Sequence, residues 1–206
     1  MYIIGITGGS GAGKTTASRV LKSFGALTLD CDKIYHGLLL TSSDMKAELG
    51  MRFPGVLADG QIDRVKLGGI VFSDQTALND LNAITHKYVG QELSQRIADW
   101  EAEGGTIAVI DAIALIESGI NELCDVVIGV IAPIESRIIR IMRRDKIDRE
   151  KAEMRIDAQK PDSFFEENCD VILRSRETMK DFTEECKTRF AGLINNKFPA
   201  NAENPD

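Results

Sequence analysis

At 206 residues the chain has the length of one domain with a substantial core, and its 43% hydrophobic and 28% charged fractions are ordinary for a globular protein. A formal net charge of −7 leaves no basic excess to neutralise a phosphate backbone, which argues against a general nucleic-acid binder. No apolar run approaches membrane-spanning length and no basic, then apolar leader precedes the first strand, so no membrane association is expected and a cytoplasmic location is.

In chain order, the first element is an apolar strand, Tyr2–Thr7, running straight into Gly8-Gly9-Ser10-Gly11-Ala12-Gly13-Lys14-Thr15. That is G-x-x-x-x-G-K-T between a strand and a helix, the context a phosphate-binding loop requires. Glycines let consecutive N–H groups turn inward, and the first turn of the helix adds unpaired donors and a positive dipole end. Gly8, Gly9, Gly11, Ala12, Gly13, Lys14, Thr15 and Thr16 are therefore the candidate nucleotide-binding residues. Lys14 can reach the β- and γ-phosphates and the Thr15 hydroxyl can ligate Mg²⁺, so ATP and Mg²⁺ are the expected cofactors.

The helix opened by Lys14 reads to Phe24 and is closed by Gly25. Ala26–Asp30 is a second short strand, and TIAVID (Thr106–Asp111) and DVVIGVI (Asp125–Ile131) are near-continuous apolar runs suited to strands buried on both faces of a parallel sheet. DVIL (Asp170–Leu173) is a weaker fifth strand. Between the second and third strands, Ser42 to Glu103 carries helical spacing and little strand signal. Pro133 opens a helix reaching Arg144, and Asp148–Gln159 continues helical after a break. The alternation predicts a three-layer α/β fold of P-loop kinase type, with a parallel central sheet of about five strands. The core is expected over 1–40 and 104–195, a helical substrate-binding insert over 41–103, a lid over 137–165 and a polar tail over 196–206. Cys31, Cys124, Cys169 and Cys186 form no C-x-x-C pair, which argues against zinc and for reduced, mostly buried thiols.

A P-loop alone does not choose among switches, motors and small-molecule kinases. No N-K-x-D base-reading motif follows a strand, since Asn196-Lys197 leads into Phe198-Pro199, and no D-x-x-G follows TIAVID. A small-molecule kinase needs an acceptor-site base, a substrate-holding insert and a mobile cationic lid. Asp30-Cys31-Asp32 follows the second strand at the edge where open α/β sheets bind ligands, and an extended chain would put both carboxylates on one side. The plainer alternative is that Asp32 is only a helix N-cap. Arg137, Arg140 and Arg144 fall at i, i+3 and i+7 beside an apolar face of Ile134, Ile138 and Ile141, with Arg155 and Gln159 on one face of the next helix. Such a stripe is often just solvated; here it suits neutralisation of charge that develops in phosphoryl transfer.

These residues resemble the dephospho-coenzyme A kinase family from residue 2 to about 173, on GITGGSGAGKTT, LDCDKIYH, GQIDRVKLGGIVFSD, LNAITH, RIIRIMRRD and RIDAQ. The resemblance implies transfer of the ATP γ-phosphoryl to the ribose 3′-hydroxyl of dephospho-coenzyme A. It implies Asp32 as general base and Arg64 and His86 in the region that grips the substrate. It makes Arg140 and Arg144 the lid arginines, with Arg144 also on ATP, Lys14 catalytic beside them, and Arg155 completing the lid's second half. Asp111, Glu117 and Arg155 are further substrate candidates, and Thr15, Asp32 and Asp111 the metal candidates.

The chain departs from the family where Ile113-Ala114-Leu115-Ile116-Glu117 stands for Pro-Leu-Leu-Phe-Glu, where Lys87 follows His86 in place of proline, and where Arg174-Ser175 replaces an Asn-rich turn. Two rivals stay open. One is another small-molecule kinase, such as a uridine-kinase-like enzyme with a very similar P-loop. The other is a nucleotide-binding module without catalysis.

Overall fold

A computed structural model of the chain describes residues 1–175 and 178–197. The elements are β1 (Tyr2–Thr7), α1 (Lys14–Ser23), β2 (Leu27–Asp30), α2 (Cys31–Thr41), α3 (Ser43–Arg52), β3 (Leu57–Ala58), β4 (Gln61–Ile62), α4 (Arg64–Val71) and α5 (Gln75–Ala102). They continue with β5 (Ile107–Asp111), a 3-10 turn (Ile120–Leu123), β6 (Val126–Ile131), α6 (Ile134–Asp145), α7 (Arg149–Asp157), α8 (Asp162–Asn168), β7 (Val171–Arg174) and α9 (Met179–Lys197). Of the tail expected from residue 196, Asn196 and Lys197 finish α9, and 198–206 lie outside the described residues.

The expected α/β class is found. The five-stranded sheet has the order β2-β5-β1-β6-β7, and the pairs β1–β5, β1–β6 and β6–β7 are parallel, with Ile4 opposite both Val109 and Val126. Every residue of β6 is buried, as are Ile107 to Ile110 of β5, because helices cover both faces of such a sheet. The chain divides into two compact units.

The first unit is Met1–Thr28 with the described residues from Gly105 on. Its core joins Ile4, Ile6, Val109, Ile128, Val130 and Leu173 of the strands to Ala17 and Leu21 of α1 and Phe182, Cys186 and Phe190 of α9. Phe190 is fully buried, and truncating such a ring to alanine costs about 3–5 kcal/mol. A separate small core forms from Ile138 and Ile141 of α6 against Ala152 and Ile156 of α7. Ile134, expected on that apolar face, is 59% exposed: it occupies the first position of α6, before the helix meets α7.

The second unit is Leu29–Gly104. Leu39, Met45, Leu49, Phe53, Val56, Leu67, Val71, Ala77 and Ile84 make its core. Short polar side chains start each helix: Asp30 accepts from the Lys33 N–H, Ser42 from Met45, Asp63 from Val65 and Lys66, and Asp74 from Thr76 and Ala77. The unit is not wholly helical. Leu57–Ala58 and Gln61–Ile62 form a two-stranded antiparallel hairpin, turned by Asp59 (φ 49) and Gly60 (φ 72), the Asp-Gly pair that favours such a turn.

Candidate active site

The loop Gly8–Gly13 joins β1 to α1, and α1 has Gly13 at its N-cap position, with no side-chain cap bond and no acidic residue in its first turn. Its first N–H groups keep the anion-binding character of an uncapped helix start. Gly8 has φ 135, and a Cβ there would run into the Val130 carbonyl of β6, so only glycine fits. Gly9, Gly11 and Ala12 continue the loop, with the Ala12 N–H donating to the Gly9 carbonyl at 3.2 Å. Lys14 Nζ folds back over the loop and donates to the Gly8 carbonyl at 2.8 Å. Thr15 is exposed, and Thr16 donates its N–H to the Gly13 carbonyl at 2.9 Å.

Asp111 ends β5, and its Oδ2 accepts a 2.7 Å hydrogen bond from Ser18 Oγ on α1. Glu117 is exposed in the turn that follows, where Ile113 is 36% exposed but Leu115 is fully buried.

The plain alternative for the α6 arginines, a solvated stripe, does not hold for Arg137 and Arg140, whereas Arg144 is exposed. Arg137 is buried at 4% exposure; its Nε donates to the Ser10 carbonyl at 3.0 Å and its Nη2 to Gln159 Oε1 at 2.8 Å. Arg140 Nη1 donates to the carbonyls of Gly11 (3.0 Å) and Ala12 (3.2 Å). Burial lowers the pKa of both guanidiniums. Arg144 makes a bidentate pair with Asp145 at 2.8 and 2.9 Å, and Arg155 of α7 meets the same carboxylate. That carboxylate lies below its usual range because hydrogen bonding from Arg144 favours its charged form. Arg155 and Gln159 also part company. Gln159 lies beyond α7, past the cap residue Ala158, and bonds Ser10, whereas Arg155 stays on the helix with Asp145.

In the second unit, Asp32 is helical and not extended, exposed in the first turn of α2, while Asp30 is the N-cap. The expected shared side for the two carboxylates is thus overturned: the cap bond from Asp30 to Lys33 N–H at 3.1 Å starts the helix at Cys31. The plain-cap alternative for Asp32 falls with it. Cys31 is buried. Burial raises the pKa of the Tyr35 phenol, one turn after Asp32, and the positive charge of Arg64 opposes that shift. Arg64 itself is exposed at the start of α4, behind its Asp63 cap. His86 is half-buried on α5, and burial pushes its pKa below the ordinary 6.5. Lys87, in place of a helix-breaking proline, lets α5 run unbroken for 28 residues and pairs with Glu48 at 2.7 Å. Arg174 pairs with Glu166 at 2.7 Å, and Ser175 is fully buried with its N–H on the Ile131 carbonyl.

Ser10, Ser18 and Asp145 were not legible as site residues. Ser10 and Ser18 meet partners 149 and 93 positions away, and Asp145 joins its neighbour Arg144 to Arg155 ten positions on, a link no local spacing encodes.

The family pattern described as Dephospho-CoA kinase matches residues 2–181. A dephospho-CoA kinase of Geobacter sulfurreducens is 34% identical over 201 residues, covering 97% of this chain and all of that protein. A dephospho-CoA kinase of Moorella thermoacetica is 40% identical over 162 residues, 77% of this chain and 76% of that one. Among solved structures, a dephospho-CoA kinase from Campylobacter jejuni superposes with a TM-score of 0.69 at 26% identity, covering 95% of this chain and 98% of the other.

Proposed function

We infer the residue roles below from one premise: the chain belongs to the dephospho-CoA kinase family. It is an ATP-dependent phosphotransferase that converts dephospho-coenzyme A to coenzyme A and ADP, the last step of coenzyme A biosynthesis. The observation that carries this is the family match running through an intact P-loop, with Lys14 and Thr15 at the head of α1.

In the mechanism, the loop Gly8–Gly13 and the first turn of α1 hold the β- and γ-phosphates through backbone N–H groups. Lys14 leaves the Gly8 carbonyl for those phosphates, following the charge as the γ-phosphoryl departs. Asp32 is the base: it orients the ribose 3′-hydroxyl and accepts its proton as the phosphoryl arrives. Arg64, His86, Glu117 and Arg155 serve the grip on dephospho-coenzyme A. Arg144 and Arg140 act from α6 on the charge that develops in transfer, with Arg144 exchanging Asp145 for phosphate oxygens.

The donor set suits Mg²⁺. Among the described residues no group of three or more His, Cys, Asp or Glu side chains could cage a metal, whereas Mg²⁺ beside nucleotide uses one or two protein oxygens plus phosphates and waters. The Thr15 hydroxyl would hold it, with the Asp111 carboxylate, already oriented by Ser18, and Asp32 as the other candidates. Bound with ATP, the ion would neutralise charge on the β- and γ-oxygens.

No described helix is long and apolar enough to cross a membrane. The deciding experiment is ATP consumption with dephospho-coenzyme A as acceptor, the product identified by mass, and uridine as the competing acceptor. Transfer to uridine alone would point to the uridine-kinase-like reading, and tight ATP binding with no turnover on either to a binding module.

A further inference from the structure

Every polar atom of Ser10, at the crown of the P-loop, is held by two side chains from the lid region. Its N–H donates to Gln159 Oε1 at 2.9 Å, its Oγ accepts from Gln159 Nε2 at 2.8 Å, and its carbonyl accepts from Arg137 Nε at 3.0 Å. Arg137 and Gln159 are bonded to each other at 2.8 Å, and Arg137 Nη1 stands 3.7 Å from Asp162. The three residues form a closed triangle, with one corner in the loop, one on α6 and one just beyond α7.

The loop's own sequence fits this arrangement. Gly9 has a φ outside the left-handed region, so conformation does not demand glycine there. Space does: a Cβ on Gly9 would strike the Arg137 guanidinium and sit 3.0 Å from Gln159 Oε1. The backbone of Arg137 in turn lies against Gly11, where an added Cβ would be 2.8 Å from the Arg137 carbonyl oxygen. Arg137 is therefore packed against two loop glycines as well as bonded between them.

We propose that Arg137 and Gln159 are positioning residues for ATP: they clamp Ser10 and so fix the shape of the P-loop. The remaining loop N–H groups then aim at the phosphates without reorganisation. Because Gln159 follows directly on α7, the clamp also ties the loop's geometry to the end of the lid helix. Arg137 is bonded to the Ser10 carbonyl and Gln159, whereas Arg140 bonds the Gly11 and Ala12 carbonyls and Arg144 pairs with Asp145, so only Arg137 shares the Ser10 clamp with Gln159 among these three. This rests on the reading of residues 8–16 as the ATP site.

The test uses the full-length chain, equilibrium titration with ATP, steady-state KM values for both substrates, and melting temperature. Gln159→Ala removes both bonds to Ser10 from outside the helices and is the variant least able to disturb folding. It is expected to weaken ATP binding about 10-fold or more, the scale of losing hydrogen bonds to a charged or buried partner, with KM for dephospho-coenzyme A unchanged. Arg137→Lys keeps the charge but loses the fork, and is expected to do the same; the double variant loses no more than the worse single one. Gly9→Ala is costly in the wild-type background and much less costly once Arg137 is alanine, because its clash partner is gone. Unchanged ATP affinity in Gln159→Ala, losses that multiply in the double variant, or a Gly9→Ala cost indifferent to Arg137 would each overturn the proposal. Lys14→Ala is the control: if it leaves both ATP affinity and turnover intact, the ATP-site reading fails along with the clamp. Loss of affinity or turnover in Lys14→Ala, with ATP affinity unchanged in Gln159→Ala, overturns only the clamp.

Discussion

Ser18 Oγ donates to Asp111 Oδ2 at 2.7 Å, tying the second turn of α1 to the carboxyl end of β5. The bond links the helix that opens at Lys14 to the carboxylate at the end of β5. A carboxylate held this way keeps one oxygen oriented and its charge close to the helix that opens at Lys14. Asp111→Asn keeps the shape and the Ser18 bond but removes the charge. It is expected to raise the Mg²⁺ concentration needed for half-maximal turnover about 10-fold or more, as loss of an outer-shell partner does. A Mg²⁺ titration of turnover at saturating ATP checks this, and an unchanged midpoint would remove Asp111 from the metal's surroundings.

Lys14→Ala takes away a point charge whose interaction strengthens as the γ-phosphoryl departs. Turnover is expected to fall about 10²-fold or more, in the range of single electrostatic stabilisers. Lys14 also donates to the Gly8 carbonyl, so melting temperature should be recorded beside the rate. Wild-type turnover in this variant would sink the P-loop kinase reading.

Arg140 and Arg144 are expected to separate. Arg144 pairs with Asp145 near the surface, where an ion pair is weak, and is free to leave it for phosphate. Arg144→Ala should therefore lower kcat more than it weakens ATP binding. Arg140 is bonded to the Gly11 and Ala12 carbonyls, so Arg140→Ala should lower kcat and ATP affinity together. Single-turnover rates with equilibrium ATP titration distinguish the two patterns; identical profiles would mean the difference in their hydrogen-bond partners has no kinetic consequence.

Much of this was readable beforehand because the signals are local. Strands β1, β5 and β6 are apolar runs, the P-loop is a contiguous motif, and Gly25 closes α1 with φ 84. The hairpin at Asp59-Gly60 was also written in the chain, but two-residue strands are too short to show alternation. Three things were not readable. Asp30 and Asp32 both suit a cap, and only the backbone decides which residue stands before the first helical turn. Helical spacing put Arg137, Arg140 and Arg144 on one face, yet it does not say that a glycine loop packs against that face and takes up the first two. Gln159 follows Arg155 by four, but α7 ends between them, and that one boundary sends the two side chains to different partners.

His86 offers a pH test. Burial lowers its pKa below 6.5, so the imidazole is neutral in the folded chain at neutral pH and harder to protonate than when unfolded. As pH falls through 6.5 the unfolded chain binds protons first, and stability falls with it until the lowered folded value is reached. His86→Gln should flatten that acid arm of melting temperature against pH. An arm as steep as in the wild type would assign it to other groups.

The last expectation sets Asp32 against its neighbour Asp30. A ribose hydroxyl is a poor nucleophile at neutral pH and needs a carboxylate to orient it and take its proton. Asp32 is exposed in the first turn of α2, and the capping task belongs to Asp30. Asp32→Asn keeps size and most hydrogen bonds but cannot accept the proton, so kcat is expected to fall roughly 10²- to 10⁴-fold, with melting temperature and ATP binding near normal. Asp30→Ala breaks the bond to the Lys33 N–H and should cost about 1 kcal/mol of stability, the usual worth of a cap. Its effect on kcat should be far smaller than that of Asp32→Asn, because the start of α2 is loosened while the carboxylate stays. Near wild-type turnover in Asp32→Asn, or the larger kcat loss in Asp30→Ala, would move the base away from Asp32.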